Sequence, residues 1–218
     1  MITAEQKAIV VDQIQELVSQ RYPEAISVGE IGQGEGFPVN TPTLRSLFSD
    51  ALIPAGQLLE ITGSISSGKT TVLLQLLEGI SQQTPVLYVD FGRTFFPPAA
   101  ATAGIAMDKI LLLQPKSLVS GVRTAEVLLQ QGKARCVVFD MVGQDGKVSP
   151  ILLHRLRQLV LKKKAVALFL TEDISRTLPA SLIALQLTVS RSGNDAIEIV
   201  TTKSRLTREG TKVELLSC

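Results

Sequence analysis

Gly63-Ser64-Ile65-Ser66-Ser67-Gly68-Lys69-Thr70 fits G-x-x-x-x-G-K-[ST] at every fixed position. The apolar run Leu58-Leu59-Glu60-Ile61-Thr62 precedes it as a strand, and Leu73, Leu76, Leu77 and Ile80 follow at helical spacing. Strand, glycine-rich turn and helix let backbone N–H groups wrap a phosphate chain at a helix N-terminus. There Gly63 and Gly68 permit close backbone approach, Lys69 reaches phosphate oxygens, and Thr70 offers its hydroxyl to Mg²⁺. Ser64, Ile65, Ser66, Ser67 and Thr71 complete the stretch that would line the phosphates. The implied ligand is a nucleoside triphosphate. No Asn-Lys-x-Asp guanine motif accompanies it, which favours ATP over GTP.

Around this loop, short apolar runs alternate with helical patterns. Val86–Asp90, Ile110–Leu113, Cys136–Asp140 and Ala165–Leu170 read as strands. Helices are expected over Leu118–Leu129, closed by Gly132, and after Ser149-Pro150, where Leu152, Leu153, Leu156, Leu159 and Val160 share a face. Lys162-Lys163-Lys164 ends that helix, where cations complement the dipole. Farther on, Ile197, Ile199 and Thr201 alternate with Glu198 and Val200, as in an antiparallel strand that pairs with Lys212–Leu215. The expected fold is α/β: a phosphate-loop core, mainly a parallel sheet flanked by helices, with an antiparallel edge.

At the start, Thr3-Ala4-Glu5-Gln6 has the form of a capping box, with Val10, Ile14 and Leu17 at helical spacing until Tyr22-Pro23. Residues 1–35 are read as a helical arm and connector, and 36–218 as the core. A helix packed on its own domain fits the same pattern. The glycines and Pro38 within 29–42 give that stretch the composition of a loop.

Composition narrows the setting. Among 218 residues, no apolar run approaches the ~20 needed to span a bilayer. The N-terminus lacks a signal-peptide pattern, and Cys136 and Cys218 form no spacing motif. A reducing, cytoplasmic setting without membrane is expected. Residues 1–149 hold 11 Lys/Arg against 14 Asp/Glu, whereas 150–218 hold 11 against 6. The last third is therefore basic, which permits a nucleic-acid face and equally a solvated surface.

A strand-ending carboxylate opposite the phosphate loop is suited to hold Mg²⁺ through its water shell, and Asp140 stands about seventy residues downstream. Here the chain resembles the RecA recombinases. The resemblance rests on Ser66-Ser67-Gly68-Lys69-Thr70-Thr71, the lead-in Asn40–Leu44 and Ile53–Ile61, Tyr88-Val89-Asp90, Gly104–Pro115 and Val137–Asp140. It implies a RecA-type core, ATP and Mg²⁺ as ligands, an arm that docks on a neighbour, and single-stranded DNA as partner. Lys203-Ser204-Arg205 matches a Lys-x-Lys pair that reaches ATP across a subunit interface in the family. The DNA-binding loops would fall at Gly143–Val148 and about Asp173–Ala180. Lys147 and Arg176 on those loops, with Arg155 and Arg157 on the helix between them, are the DNA candidates.

The departures bear on chemistry. The family's catalytic glutamate falls at Gly92, which carries no group to activate water; losing a positioned base costs about 10²–10⁴-fold. The family's phosphate-sensing glutamine is replaced by Glu172, a weak substitute base. The adenine-stacking aromatic falls at Ala99, and neither loop carries an aromatic platform for bases. Retained binding with impaired hydrolysis is similar to ImuA-type accessory proteins of bacterial mutagenesis cassettes, which implies an SOS-response, DNA-damage role beside a translesion polymerase. Three functions follow: a single-stranded-DNA-associated repair accessory, an active DNA-dependent ATPase recombinase, or a protein-binding scaffold with a structural ATP site. Self-association or contact with another RecA-like protein belongs to the same resemblance.

Overall fold

The computed structural model describes residues 35–143, 148–172, 178–192, 196–206 and 209–216. The helical arm expected within 1–34, Lys147, Arg176 and most of both expected DNA loops lie outside the described residues.

In chain order the elements are β1 (Gly36–Pro38), α1 (Pro42–Arg45), β2 (Leu52–Pro54), β3 (Gln57–Thr62), α2 (Lys69–Gln83), β4 (Val86–Asp90), α3 (Pro97–Thr102), β5 (Ile110–Leu113), α4 (Leu118–Gln130), β6 (Cys136–Asp140), α5 (Pro150–Lys162), β7 (Val166–Thr171), β8 (Leu185–Arg191), β9 (Ala196–Ser204) and β10 (Lys212–Leu216). Among the described residues, eight strands form one sheet in the order β10-β9-β8-β3-β7-β6-β4-β5. From β5 to β8 the pairings are parallel, and β9 and β10 add an antiparallel edge. The expected fold class is the one observed.

Connectivity explains the layers. The chain crosses the sheet one way through α2 and returns through α4 and α5, so right-handed crossovers place them on opposite faces. Leu73, Leu76, Leu77 and Ile80 of α2 pack over Leu59, Ile61, Tyr88, Val138 and Leu168. On the other face Val122, Leu129, Leu153, Leu156 and Val160 cover Leu58, Leu87, Val89, Phe139 and Phe169. Phe139 and Phe169 stack there with centroids 4.9 Å apart, a contact worth about 1 kcal/mol beyond burial. With both faces covered, β4, β6 and β7 are buried along their whole length.

Two parts of the sequence reading change. Within the stretch read as loop, Gly36–Pro38 is a strand paired antiparallel with Leu52–Pro54, because Phe37 and Ile53 bury together in the core. Pro42 then opens α1. Strand β8, unmarked above, lies between β3 and β9.

Among the described residues, no helix is long and apolar enough to cross a membrane.

Candidate functional site

Strand β3 ends at Thr62, and the loop 63–68 delivers the chain into α2. Gly68 caps that helix at φ +93°, the left-handed region where glycine is favoured. Gly63 is needed for space. A Cβ there would run into the Val189 carbonyl oxygen of neighbouring β8 and lie 2.6 Å from Ser67 Oγ. From the end of β8, Arg191 Nε donates to the Ser66 carbonyl at 2.8 Å and holds the crest of the loop.

The loop folds back on its own lysine. Lys69 is buried, and its Nζ donates to the carbonyls of Gly63 at 3.1 Å and Ser64 at 2.9 Å. Carbonyl dipoles solvate the ammonium but leave it without a counter-ion among the described residues, and two of its three N–H donors are so engaged. Ser67 Oγ is buried without a hydrogen-bond partner among the described residues. A buried cation and an orphaned hydroxyl in a glycine-dependent cradle fit a polyphosphate. Thr70 and Thr71 are exposed on the first turn of α2, and the Thr70 hydroxyl suits a Mg²⁺ ion bound with the phosphates.

At the same edge of the sheet stand Asp140, two strands away, and Asp90, three strands away, paired in register at the ends of β6 and β4. Both are buried. Asp140 Oδ2 accepts from the Tyr88 hydroxyl at 2.8 Å and the Thr94 hydroxyl at 3.1 Å, and Oδ1 accepts from Val142 N–H at 3.3 Å. Burial pushes the Asp140 carboxyl above its ordinary value and the Asp90 charge adds to this, while the three donors pull it down. Asp90 accepts the N–H groups of Thr94 at 3.0 Å and Phe95 at 3.1 Å. Gly92 sits inside the turn so fastened. Phe95 lies against Tyr88, centroids 4.6 Å apart, while Phe96 is exposed at the start of α3. Glu172, just past β7, is half-buried and accepts Gly143 N–H at 3.2 Å, tying the ends of β6 and β7.

The basic candidates separate. Arg155 pairs with Glu126 of α4 at 3.1 Å. Arg157, two positions on, projects from a different side of α5 and lies near Arg205. Burial and then the Arg205 charge lower the Arg157 pKa, and the same two causes lead for Lys203. Arg157, Lys203 and Arg205 thus converge, with Arg205 anchored on the Ser181 carbonyl at 2.7 Å. Beneath Lys203, on the α5 face of β3, lies Glu60, which accepts from Thr171 Oγ1 and Gln186 Nε2, each at 2.8 Å.

The sequence reading named the loop, Asp140, and Lys203 with Arg205 at the end of β9 as site residues, and gave Asp90 no role of its own. It passed over Glu60, Tyr88, Thr94 and Arg191. The signal for Glu60 was present, as a lone carboxylate inside an apolar strand; the others act across strands and left none.

Residues 27–147 match the RecA N-terminal domain family. Protein RecA of Bacillus anthracis is 26% identical over 170 residues, which cover 67% of this chain and 50% of that protein. Protein RecA of Levilactobacillus brevis is 27% identical over 170 residues, covering 67% of this chain and 45% of its own. The chain therefore spans about half the length of the curated relatives it matches.

Proposed function

The chain belongs to the RecA family, and from that premise we propose that it is an ATP-binding protein of DNA recombination and repair. In this reading ATP is a ligand that organises the protein on single-stranded DNA, and hydrolysis is weak or absent. The observation that carries it is the coexistence of a complete phosphate loop, with Lys69 buried on its own carbonyls, and a glycine at position 92. Backbone N–H groups of the loop, Lys69 and Ser67 would hold the phosphates, with Thr70 reaching the Mg²⁺ that neutralises them. Bound Mg²⁺ would compensate the charge of the phosphates. Without a positioned base at 92, the attacking water is left unoriented.

Arg157 converges with Lys203 and Arg205, the pair that the resemblance carries to ATP across a subunit interface; Arg157, Lys147 and Arg176 are the candidates for a phosphate-backbone contact, and Arg155, tied to Glu126, contributes less. A role beside a translesion polymerase or another RecA-like protein, within a damage response, is the accessory function this profile suits.

ATP turnover, with and without single-stranded DNA, tests this beside a direct nucleotide titration and a Lys69→Ala variant. Expected is binding that the variant weakens by about 10–10²-fold, the loss of a charge-assisted contact, with turnover near background. DNA-stimulated turnover that vanishes in the variant would replace this reading with an active recombinase ATPase using Glu172 as base.

A further inference from the structure

Strand β9 changes face partway along. Ile197 and Ile199 bury on the α2 face of the sheet, and Thr201 continues their alternation opposite Leu187. Unbroken alternation would send residue 203 to that face as well. A β-bulge intervenes: Leu187 stands opposite Thr201, yet Gln186 stands opposite Lys203, so Thr202 is the extra residue. Gln186 belongs to the α5 face, because Leu185 and Leu187 on either side of it bury on the other. Lys203, its cross-strand neighbour, is therefore turned to the α5 face.

Two arginines meet it there. The Arg205 N–H bonds the Ala184 carbonyl, and its guanidinium donates to the Ser181 carbonyl at 2.7 Å. Ser181 lies in the 3₁₀ turn Ala180–Leu182, and Leu178 and Ile183 around that turn bury with Leu153, Leu156 and Val160 of α5. The turn thus carries Arg205 to the flank of α5. On that helix Leu161 packs over Gly56, just ahead of β3, and Arg157 one turn earlier shares its side. Among the described residues no carboxylate forms an ion pair with Arg157, Lys203 or Arg205. The two carboxylates whose fields reach Lys203 are engaged otherwise: Glu60 takes Thr171 and Gln186, and Glu209 takes the Ser204 N–H at 3.2 Å. Like charges so placed repel, and an anion shared among the three relieves that repulsion.

We propose that Arg157, Lys203 and Arg205 form a second oxyanion site, complete within one chain, for the terminal phosphate of a polyphosphate or nucleotide. The bulge at Thr202 is what builds it. A terminal phosphate gathers about two charges and three acceptor oxygens at one point, which matches three converging cations. A phosphodiester strand instead spreads its charge along a groove. Arg157 thereby moves from the strand candidates to the pair on β9. The phosphate loop feeds α2 on the opposite face, so the sheet stands between the two sites and each holds its own phosphate. The second site stands on the geometry of this chain and not on ATP binding at the loop.

The test is a calorimetric titration of the full chain with inorganic tripolyphosphate. It compares wild type, Lys69→Ala, and Lys69→Ala combined with Arg157→Met or with Lys203→Met. Methionine keeps the apolar stem of either half-buried side chain, and Tm checks that each variant folds. Expected are two equivalents bound per chain by wild type and one by Lys69→Ala. Either methionine substitution should weaken that one by about tenfold or more, the loss of a charge-assisted contact. No binding to Lys69→Ala refutes the site, and so does binding that neither substitution weakens. Affinity that rises with chain concentration would show that a second copy completes the site, against the proposal. Displacement of tripolyphosphate from Lys69→Ala by an equimolar oligodeoxythymidylate would assign the cluster to a DNA backbone instead; the proposal expects none. If wild type and Lys69→Ala each bind one equivalent, the loop takes no phosphate and the ATP reading falls, while the methionine substitutions still decide this site.

Discussion

Two clusters share the carboxyl edge of the sheet, and they differ in what their polar groups face. At the end of β3, Lys69 is buried on neutral carbonyls and Ser67 Oγ has no partner among the described residues, so the loop has unmet demand for an anion. At the ends of β4 and β6, Asp90 and Asp140 are both satisfied by donors from their own chain. One cluster has polar groups without donors or acceptors to meet them, and the other is held by donors of its own chain. In a nucleotide-hydrolysing site the two must act together, one holding phosphate and the other presenting water and metal to it. Here the second has glycine at position 92 where a base would stand, which is why binding and turnover come apart in the proposed function.

The sharpest way to break that contrast is to crowd the loop itself. Gly63→Ala sets a methyl against the Val189 carbonyl of β8, a neighbour that cannot yield without moving a strand. Stability should fall by about 3 kcal/mol, at the upper end for overpacking, and nucleotide affinity should fall with it. Urea unfolding and the direct nucleotide titration measure the two. A variant of wild-type stability would mean that the loop is looser than its packing implies.

Gly92→Glu addresses the other cluster, with a smaller expected effect. It returns the family's catalytic residue to its position, yet the new Cβ meets the Val142 carbonyl at 2.8 Å. We expect a loss of about 1–2 kcal/mol and no gain in ATP turnover, because the turn is held by Asp90 and Asp140 in a shape built around glycine. Turnover raised 10²-fold or more would show that only the side chain was missing, and the contrast between the clusters would collapse.

How much of this was legible beforehand follows the distance over which each signal acts. The phosphate loop is local: eight consecutive residues carry it, and strand and helix flank it in sequence. The central strands and α2, α4 and α5 were legible for the same reason, since apolar runs and 3.6-residue spacing need no partner to be read. Strand β8 carried its signal as Leu185, Leu187 and Val189 alternating with Gln186, Thr188 and Ser190, and was passed over. The β1–β2 pair is three residues on each side, too short for a period to show. The hydrogen bonds around Asp140 were not legible at all. Tyr88 and Thr94 meet Asp140 across 52 and 46 residues of chain, so only strand order brings them together. Asp140 is read as a metal ligand from its place at a strand end, a position that says nothing of which donors surround it.

The smallest effect concerns Glu60, which joins the loop-bearing β3 to the strands on either side of it. Its Oε1 accepts from Thr171 of β7 and its Oε2 from Gln186 of β8. Gln186 in turn accepts from Thr202 of β9 at 3.1 Å. Burial raises the Glu60 pKa above its ordinary 4.5, more than the hydrogen bonds from Thr171 and Gln186 and the Lys203 charge lower it. A carboxyl with a raised folded-state pKa holds its proton more tightly folded than unfolded. Its contribution is complete below the unfolded value and is lost as pH rises through the folded one. Glu60→Gln keeps the shape and removes the charge, and the Gln186 amide can turn over to meet it. The variant should therefore match wild type near pH 4 and exceed it by roughly 2 °C in Tm at pH 8, with the difference opening above pH 4.5. Nucleotide affinity at the phosphate loop should not change, because Glu60 lies on the α5 face of β3 and the phosphate loop feeds α2 on the other. A Tm difference that is flat with pH would remove the buried charge from the account. A loss of nucleotide affinity would show that the two faces of β3 are coupled, and that the loop's readiness for an anion depends on the strand beneath it.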